Sequence, residues 1–293
     1  MALSIHTNYS SLVTQTNLTK TNNALGTNQQ RLGTGLRINS AADDAAGLQI
    51  ATRLTAQSRG MGVAIRNVND SVSLLQTGEG ALSEMTDIVQ RMKDLATQSA
   101  NDTNSQDDRD ALQAEYDELG KELYNIMENT KYAGETLFTA TATTGKFSAA
   151  AGVVLQIGSS TAETMTVQAD TEVTDLQTAL GGLSSAYSAA GTAGTEIAAQ
   201  AGANTMIDTL SDALDDIGAL RAKFGANINR LNHTSNNLAN MKDNTEMAKG
   251  RIMDADFAME SANMSKNSML MQSGISMLKQ AGQMPGMVMG LLG

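Results

Sequence analysis

Cysteine is absent from this 293-residue chain, and histidine is limited to His6 and His233. The lack of cysteine excludes disulfide bonds and thiolate catalysis. Two histidines that lie far apart in the sequence, without cysteine, make a poor ligand set for tetrahedral zinc. We therefore expect neither a metal nor a cofactor.

Tryptophan is also absent, aromatic residues make up 3% of the chain, and there is a single proline. A compact core usually relies on large aromatic side chains, and helix interiors exclude proline. These scarcities favour long helices that pack through leucine, isoleucine, methionine and alanine.

Clusters of basic residues and long apolar runs are lacking as well. The chain has 20 Lys and Arg against 31 Asp and Glu, a formal net charge of −11. Because phosphate contacts need clustered basic residues, we expect no nucleic-acid partner, and the acidic balance disfavours anionic membrane surfaces.

No apolar run reaches the roughly 18 residues of a membrane span. The start has neither a basic region nor a continuous apolar stretch, so we expect no cleaved signal peptide, and composition alone favours a cytosolic protein.

The residues that could carry catalysis have simpler explanations. Asp43 and Asp44 could act as acid and base, but neighbouring helix residues point about 100° apart, and both acids suit a helix N-terminus. Ser40, three residues before Asp43, indicates a variant capping box that starts a helix. The stretches "GTGLR", "TGEGA" and "GGLSS" do not match a phosphate-binding loop, and no nucleophile elbow accompanies a Ser, His and Asp set. We therefore predict that the protein is not an enzyme and has no catalytic residues.

Both ends of the chain carry apolar residues at seven-residue spacing, which is typical of a coiled-coil seam. At the N-terminal end the column is narrow, and opposite seam positions such as Thr21 and Asn28 are polar, so this helix should be marginal alone. At the C-terminal end two columns run side by side, and 11 of the 18 methionines lie at or after Met241. The columns are Leu18, Leu25 and Leu32; then Phe257, Met264, Met271 and Leu278; then Leu270, Met277, Met284 and Leu291.

The C-terminal stripe is wider than one partner helix can cover. Each buried methionine or leucine contributes roughly 1.5–3 kcal/mol, so leaving several of them in water forgoes a large stabilisation. The natural complement of the stripe is other copies of the same stripe, which predicts homo-assembly.

Between the ends, apolar residues at alternating three- and four-residue steps predict two long helices. The interruption "NDTNSQDDRD" joins them, so they should form an antiparallel pair, and a further periodic helix begins at about residue 205. Val153–Ile157 and Thr164–Val167 are β-prone runs that predict a hairpin, whereas residues 171–204 could be helix, loop or a mixture. The residues that we expect to pack these helices are Met85, Ile88, Met92, Leu112, Leu119, Leu123, Leu214, Ile217, Phe224, Ile228 and Leu231.

Several blocks of the sequence resemble those of the bacterial flagellins, the subunits of the flagellar filament. The N-terminal block is "LGTGLRINSAADDAAGLQIATRL" and the C-terminal block is "RIMDADFAMESANMSKNSMLMQSGISMLKQAGQMP". The stretches "NVNDSVSLLQTGEGALSEM", "QSANDTNSQDDRDALQAE" and "TKYAGETLF" are also similar to family sequence. This likeness covers about 1–140 and 205–293. The start "MALSIHTNYSSLVTQ", the block "ADDAAGLQIATRL" and the methionine content look more like lateral-type flagellins.

The resemblance implies a mainly α fold of long helical hairpins and a terminal coiled coil, with a small β-hairpin element in the middle of the chain. It places residues 1–42 with 256–293 in an inner coiled-coil domain. Residues 43–175 with 205–255 would form a rod-like helical domain that includes the β element at about 136–170. Residues 171–204 would be a short variable segment, with no large outer domain.

The same resemblance implies a structural subunit that polymerises into the flagellar filament, the helical propeller for swimming or swarming motility. Such subunits are exported by the flagellar type III apparatus without a cleaved signal peptide, so an extracellular location replaces the cytosolic expectation. The implied partners are many identical subunits, an export chaperone at residues 264–291, and the filament cap and hook-junction proteins. The alternative is a secreted helical effector or adhesin that acts as a monomer or small oligomer.

A receptor contact is a further implication of the resemblance. The segment "QRMKDLA" at 90–96 is similar to the motif of flagellins that Toll-like receptor 5 recognises. This likeness places a possible contact at Arg91, Leu95 and Glu115. Leu95 also belongs to the periodic apolar positions, so core packing is the alternative role for it.

Overall fold

The computed structural model describes residues 8–140 and 144–292, with side-chain positions as far as residue 283. His6 and the side chains of Met284 and Leu291 therefore lie outside the described residues. Along the described chain the elements are α1 (Tyr9–Thr34), α2 (Ala45–Ser99), α3 (Gln106–Asn129), β1 (Lys131–Tyr132), β2 (Glu135–Thr136), β3 (Val153–Gln156), β4 (Thr164–Val167), α4 (Asp170–Leu183), α5 (Gln200–Met253) and α6 (Phe257–Leu292).

Long helices dominate the described chain, and its strands form two small antiparallel pairs, β1 with β2 and β3 with β4. This architecture confirms the mainly α fold class with a small β element. Among the described helices, none combines the length and the apolar character that crossing a bilayer requires.

The chain divides into two compact units, and the boundary falls inside α2 and α5. The first unit comprises Met1–Ser58 with Asp243–Gly293, and the second comprises Arg59–Lys242. The expected inner and rod-like domains, with their roles in a filament, stay predictions.

In the second unit, α2 and α3 run antiparallel on either side of the acidic loop. Arg91 on α2 pairs with Glu115 on α3 at 2.6 Å, and the two residues stand at similar distances from that loop. Ser105 caps α3, because its side chain accepts a hydrogen bond from the Asp108 amide while Asp108 accepts one from the Ser105 amide. The interruption thus ends in a capping box that starts the next helix.

The predicted hairpin is confirmed in nearly its expected bounds. Val153 pairs with Val167 and Gln156 pairs with Thr164 in an antiparallel register. The β1–β2 hairpin was not expected, because its strands span two residues each. Its turn residues Ala133 and Gly134 both have positive φ, 52° and 87°, as the turns that hairpins favour require.

The segment that the sequence left open is a mixture. Residues 170–183 form α4, and residues 184–199 form an irregular connection to α5. Buried apolar residues at three- and four-residue steps, Val173, Leu176, Leu180 and Leu183, hold α4 against the core.

The start of α2 differs from the expected capping box. Asp43 accepts hydrogen bonds from the amides of Asn39 and Ser40 at 3.0 and 2.9 Å, which closes a turn before the helix and lowers the Asp43 pKa. Asp44 is the residue that caps α2, since its Oδ1 accepts from the Gly47 amide at 2.8 Å. The predicted contact between Ser40 and Asp43 therefore exists, but it belongs to the turn.

Candidate assembly surface

The two terminal helices run antiparallel and are joined at both ends of their contact. At one end, Asn8 accepts from the Ser11 amide and donates its Nδ2 hydrogen to the Ala281 carbonyl at 2.7 Å. At the other end, the Arg37 amide donates to the Met253 carbonyl and the Ala255 amide donates to Gly35. Gly35 ends α1 with φ of 73°, the left-handed conformation that glycine adopts without strain.

The seam between α1 and α6 holds one of the two apolar columns that the sequence predicts for α6. Leu18, Leu25 and Leu32 are half-buried on α1, as are Met264, Met271 and Leu278 on α6. A Cβ built on Gly274 would lie 2.8 Å from Cδ1 of Leu18, so the backbones approach closely there. Phe257, expected in the same column, is 65% exposed at the first residue of α6.

A polar cluster interrupts this apolar seam. Arg31 Nη1 donates to Glu260 Oε1 at 3.0 Å. With the Asn28 amide oriented so that both of its polar atoms have partners, its nitrogen donates to Glu260 Oε2 at 3.2 Å and its oxygen accepts from Asn267 Nδ2 at 3.1 Å. Asn28 and Glu260 are each 8% exposed. Two of the three buried residues in the described parts of the terminal helices are therefore polar, and the third is Ala281.

Sequence reasoning missed this cluster. It noted Asn28 as a polar seam position, and it gave no role to Arg31, Glu260 or Asn267. The sequence does contain a signal for the cluster. Glu260 and Asn267 are seven residues apart and each lies four residues before Met264 or Met271, so all four residues fall on one side of α6.

The described residues of the second predicted column of α6 lie beside the seam and are exposed. Leu270 is 49% exposed and Met277 60% exposed. Met259, eleven residues before Leu270 and thus on the same side of the helix, is 63% exposed. We call Met259, Leu270 and Met277 the α6 flank. Near the start of α1, Tyr9, Leu12 and Val13 are exposed as well.

The residues expected to pack the middle helices all lie in or against the core of the second unit. Met85, Met92, Leu123, Ile217, Phe224 and Leu231 are buried, whereas Ile88, Leu112, Leu119, Leu214 and Ile228 are partly buried against that core. The residues at alternating three- and four-residue spacing thus lie on one side of each helix, and that side packs in the core.

The three residues of the expected receptor contact have different surroundings. Arg91 donates through Nε and Nη2 to Glu115 Oε1 at 2.9 and 2.6 Å, and both side chains are exposed. Leu95 is 1% exposed and belongs to the core cluster. The structure therefore gives Leu95 the packing role and leaves the ion pair on the surface.

Nothing in the described residues assembles into a metal centre: no group of three or more His, Asp or Glu side chains could hold an ion there. The arrangement at the terminal helices is that of a contact surface, with an internal seam and an uncovered apolar side.

Comparison with known families matches both helical ends of the chain. The model of the bacterial flagellin N-terminal helical region matches residues 5–143, and that of the C-terminal helical region matches residues 207–292. The stretch between the two matches contains β3, β4, α4 and the irregular connection.

Individual relatives extend over the whole chain. Flagellin A of Vibrio cholerae serotype O1 (strain ATCC 39315 / El Tor Inaba N16961) is 34% identical, with 100% of each chain covered. Polar flagellin C of Vibrio parahaemolyticus serotype O3:K6 (strain RIMD 2210633) is also 34% identical at full coverage. The crystal structure of Bacillus cereus flagellin is 36% identical and covers 59% of this chain and 88% of its own, with a TM-score of 0.49. With both terminal regions matched in order, the chain belongs to the bacterial flagellin family.

Proposed function

We propose that this filament subunit assembles through its terminal helices, with a different task for each side of α6. The seam side pairs with α1 of the same chain, and the α6 flank packs against other subunits. The observation that carries this proposal is the exposure of Leu270 and Met277 directly beside the seam that α1 occupies.

The energetic argument rests on the uncovered apolar area. Burying a leucine or methionine side chain contributes roughly 1.5–3 kcal/mol, so covering the three flank residues would supply several kcal/mol per subunit. Lys266 and Lys279 are the charged side chains of α6 after Glu260, and little charge repulsion therefore opposes contact between flanks. Because every subunit of a polymer makes this contact, a modest gain in stabilisation free energy per subunit adds up along the filament.

A charge placed on the flank tests this assignment. Leu270→Glu should prevent or strongly slow polymerisation, because a carboxylate would have to lose its water on contact with apolar side chains. Filament length and yield can be measured by electron microscopy and by sedimentation of purified protein.

Gln272→Glu is the matched control, since Gln272 is exposed on α6 two residues away and receives the same charge. We expect it to polymerise normally. Equal loss in both variants would mean that assembly has no preference for the flank. The same microscopy addresses the secreted effector or adhesin, which predicts no filaments and which no described feature favours.

We also propose that the chain leaves the cell through the flagellar type III apparatus, as a bacterial flagellin, with an export chaperone on residues 264–291. The support is that the exposed residues Met269, Leu270 and Met277 need cover before assembly. Mixing subunit and chaperone should slow amide exchange of the described residues 264–283. Unchanged exchange there would contradict this placement.

The cap and hook-junction proteins, which meet the ends of a filament, are proposed to contact the same terminal helices.

A receptor contact at the middle helices is proposed with a narrower set of residues. Toll-like receptor 5 would meet the exposed Arg91 and Glu115 pair, and Leu95 would support that surface from the core. Arg91→Ala with Glu115→Ala should then reduce receptor signalling in a reporter cell. Lys121→Ala, which breaks an exposed ion pair with Glu118 on the same helix α3, should not. If the unsubstituted protein gave no receptor signalling, the contact would be refuted.

A further inference from the structure

We propose that Asn28, Arg31, Glu260 and Asn267 set the register of the α1–α6 pair, so that the two helices meet in one alignment. We call these four residues the seam network. The inference rests on the proposed assembly role of the terminal helices, and it adds which side chains choose the alignment.

The apolar residues of the seam cannot fix a single register of the two helices by themselves. Leu18, Leu25 and Leu32 repeat every seven residues, and so do Met264, Met271 and Leu278. Sliding α6 by one heptad, about 10 Å, therefore puts leucine against methionine or leucine again. Such a slide would keep leucine and methionine in contact along the pair, and the apolar contact it would lose is the close approach of Leu18 to Gly274.

The seam network is the polar side-chain part of the pair, and it does not repeat along the helices. It acts together with the backbone bonds of Arg37 with Met253 and of Ala255 with Gly35 at one end of the pair. A slide of one heptad would separate Arg31 from Glu260 by about 10 Å. It would also take Asn28 away from one of its two partners on α6, either Glu260 or Asn267, depending on the direction. Glu260 is 8% exposed, and its side chain accepts from both Arg31 and Asn28. An alignment that takes Arg31 away from this buried carboxylate is strongly disfavoured.

A role in register also accounts for polar residues, Asn28 and Glu260, at buried positions of the seam. Replacing a buried polar group by a leucine often leaves a helix pair equally or more stable, whereas single polar residues at seam positions are known to fix alignment.

Disulfide trapping can measure the register, because the chain has no cysteine of its own. Leu18→Cys with Gly274→Cys reports the native alignment, since a Cβ at residue 274 lies beside the Leu18 side chain. Leu18→Cys with Ala281→Cys reports the alignment shifted by one heptad. In the native alignment that second pair is too far apart to form a bond. Intrachain disulfides would be counted in assembled filaments by peptide mass spectrometry after mild oxidation.

Asn28→Leu with Asn267→Leu should change the ratio of the two disulfides. We expect the native disulfide to fall and the shifted one to rise about threefold or more relative to the unsubstituted seam, as specificity is lost. Filaments should still form. Thr21→Leu is the matched control: Thr21 is a half-buried seam residue whose hydroxyl bonds the Asn17 carbonyl of its own helix. It should leave the ratio unchanged.

An unchanged ratio in the Asn28 and Asn267 variant would overturn the proposal, and so would an equal shift in Thr21→Leu. Arg31→Met with Glu260→Met removes the charged half of the network and should shift the ratio in the same direction. If both network variants abolish filaments, and their soluble subunits form neither disulfide, the network serves stability and the proposal is also overturned. The Leu270→Glu result judges the assembly surface separately, because Leu270 lies outside the seam.

Discussion

At the residue scale, Gly78 marks the place where the core leaves no room for a side chain. A Cβ built there would lie 2.8 Å from Cε2 of Phe224 and 3.4 Å from atoms of Phe138 and Phe147. The three rings pack on one another with centroids 4.7–6.3 Å apart. Helix α2 can approach this aromatic cluster because residue 78 has no Cβ.

Gly78→Ala should therefore destabilise the subunit. Overpacking a filled core costs about 1–3 kcal/mol, which exceeds the gain of about 0.5–1 kcal/mol that alanine has over glycine in a helix. Urea unfolding of the soluble subunit, followed by circular dichroism, measures the net loss. Gly80→Ala is the control on the same helix, because a Cβ at residue 80 meets nothing within 4 Å, and it should be stabilising. A Gly78→Ala variant as stable as Gly80→Ala would rule out the tight contact.

Met92 and Gly78 show what the sequence reveals about single residues. The spacing along one helix predicts that Met92 lies in the core, because the helical repeat is a local property of the sequence. The role of Gly78 depends on rings from residues 138, 147 and 224, which come from distant parts of the chain. Such contacts leave no local pattern, so the sequence did not single out this glycine.

At the element scale, the irregular connection of residues 184–199 is held to α3 by a small set of polar contacts. Glu196 accepts from the Ser185 amide and hydroxyl at 2.7 Å and from Gln113 Nε2 at 2.8 Å. Gln113 Oε1 accepts from the Ile197 amide at 2.8 Å, and Asp117 accepts from the Gly194 amide at 3.0 Å. These bonds replace the regular structure that the connection lacks.

The connection should loosen in acid. Burial opposes the ionisation of Glu196, but the hydrogen bonds from Ser185 and Gln113 outweigh it and lower its pKa below the ordinary 4.5. Since the unfolded carboxyl binds a proton more readily, the stabilisation is fully present above the ordinary pKa and is lost as pH falls through the folded value. Cleavage by pepsin within residues 184–199, followed over a series of acidic pH values, should rise in that range.

Glu196→Gln removes the ionisable group. The connection should then be looser and cleaved more readily, and its cleavage should show no acid-dependent step. Glu118→Gln is the control, because Glu118 is an exposed carboxylate that lies on α3, the helix to which the connection is bound, and that pairs with Lys121. Its cleavage profile should match that of the unsubstituted chain. An acid-dependent step that persists in Glu196→Gln would assign the effect to other groups.

The elements differ in how far the sequence predicted them. The sequence predicts the β3–β4 hairpin because two β-prone runs, Val153–Ile157 and Thr164–Val167, flank a turn region. The connection and α4 were not resolved, because alanine, glycine, serine and threonine at 171–204 leave helix and loop close in energy. What decides there is non-local: the apolar side of α4 meets the core, while Gln113 and Asp117 on α3 bind the connection.

At the scale of the whole molecule, the two units are stabilised very differently. The second unit contains the continuous apolar core, including fully buried residues such as Leu75, Met85 and Phe224. In α1 the buried residue is Asn28, and the described part of α6 adds Ala281 and Glu260. The terminal pair therefore gains little hydrophobic stabilisation within one subunit.

The length of the chain is a second property at this scale. The alignment with Vibrio cholerae Flagellin A runs over 386 residues, whereas this chain has 293, so the relative carries segments that this chain lacks. The two family matches cover residues 5–143 and 207–292. Both helical ends on which the assembly proposal depends are thus retained in the shorter chain.

The contrast between the units predicts where order depends on assembly. In the free subunit, amides of residues 9–34 and 257–283 should exchange rapidly, because a helix pair with a mostly half-buried seam opens at low cost. In filaments the same amides should be protected, since neighbouring subunits would cover the α6 flank. Residues 106–129 and 210–231 provide the internal control and should be protected in both states. Hydrogen exchange with peptide mass spectrometry on subunits and filaments measures both sets, and equal protection of the terminal helices in the two states would refute coupled ordering and assembly.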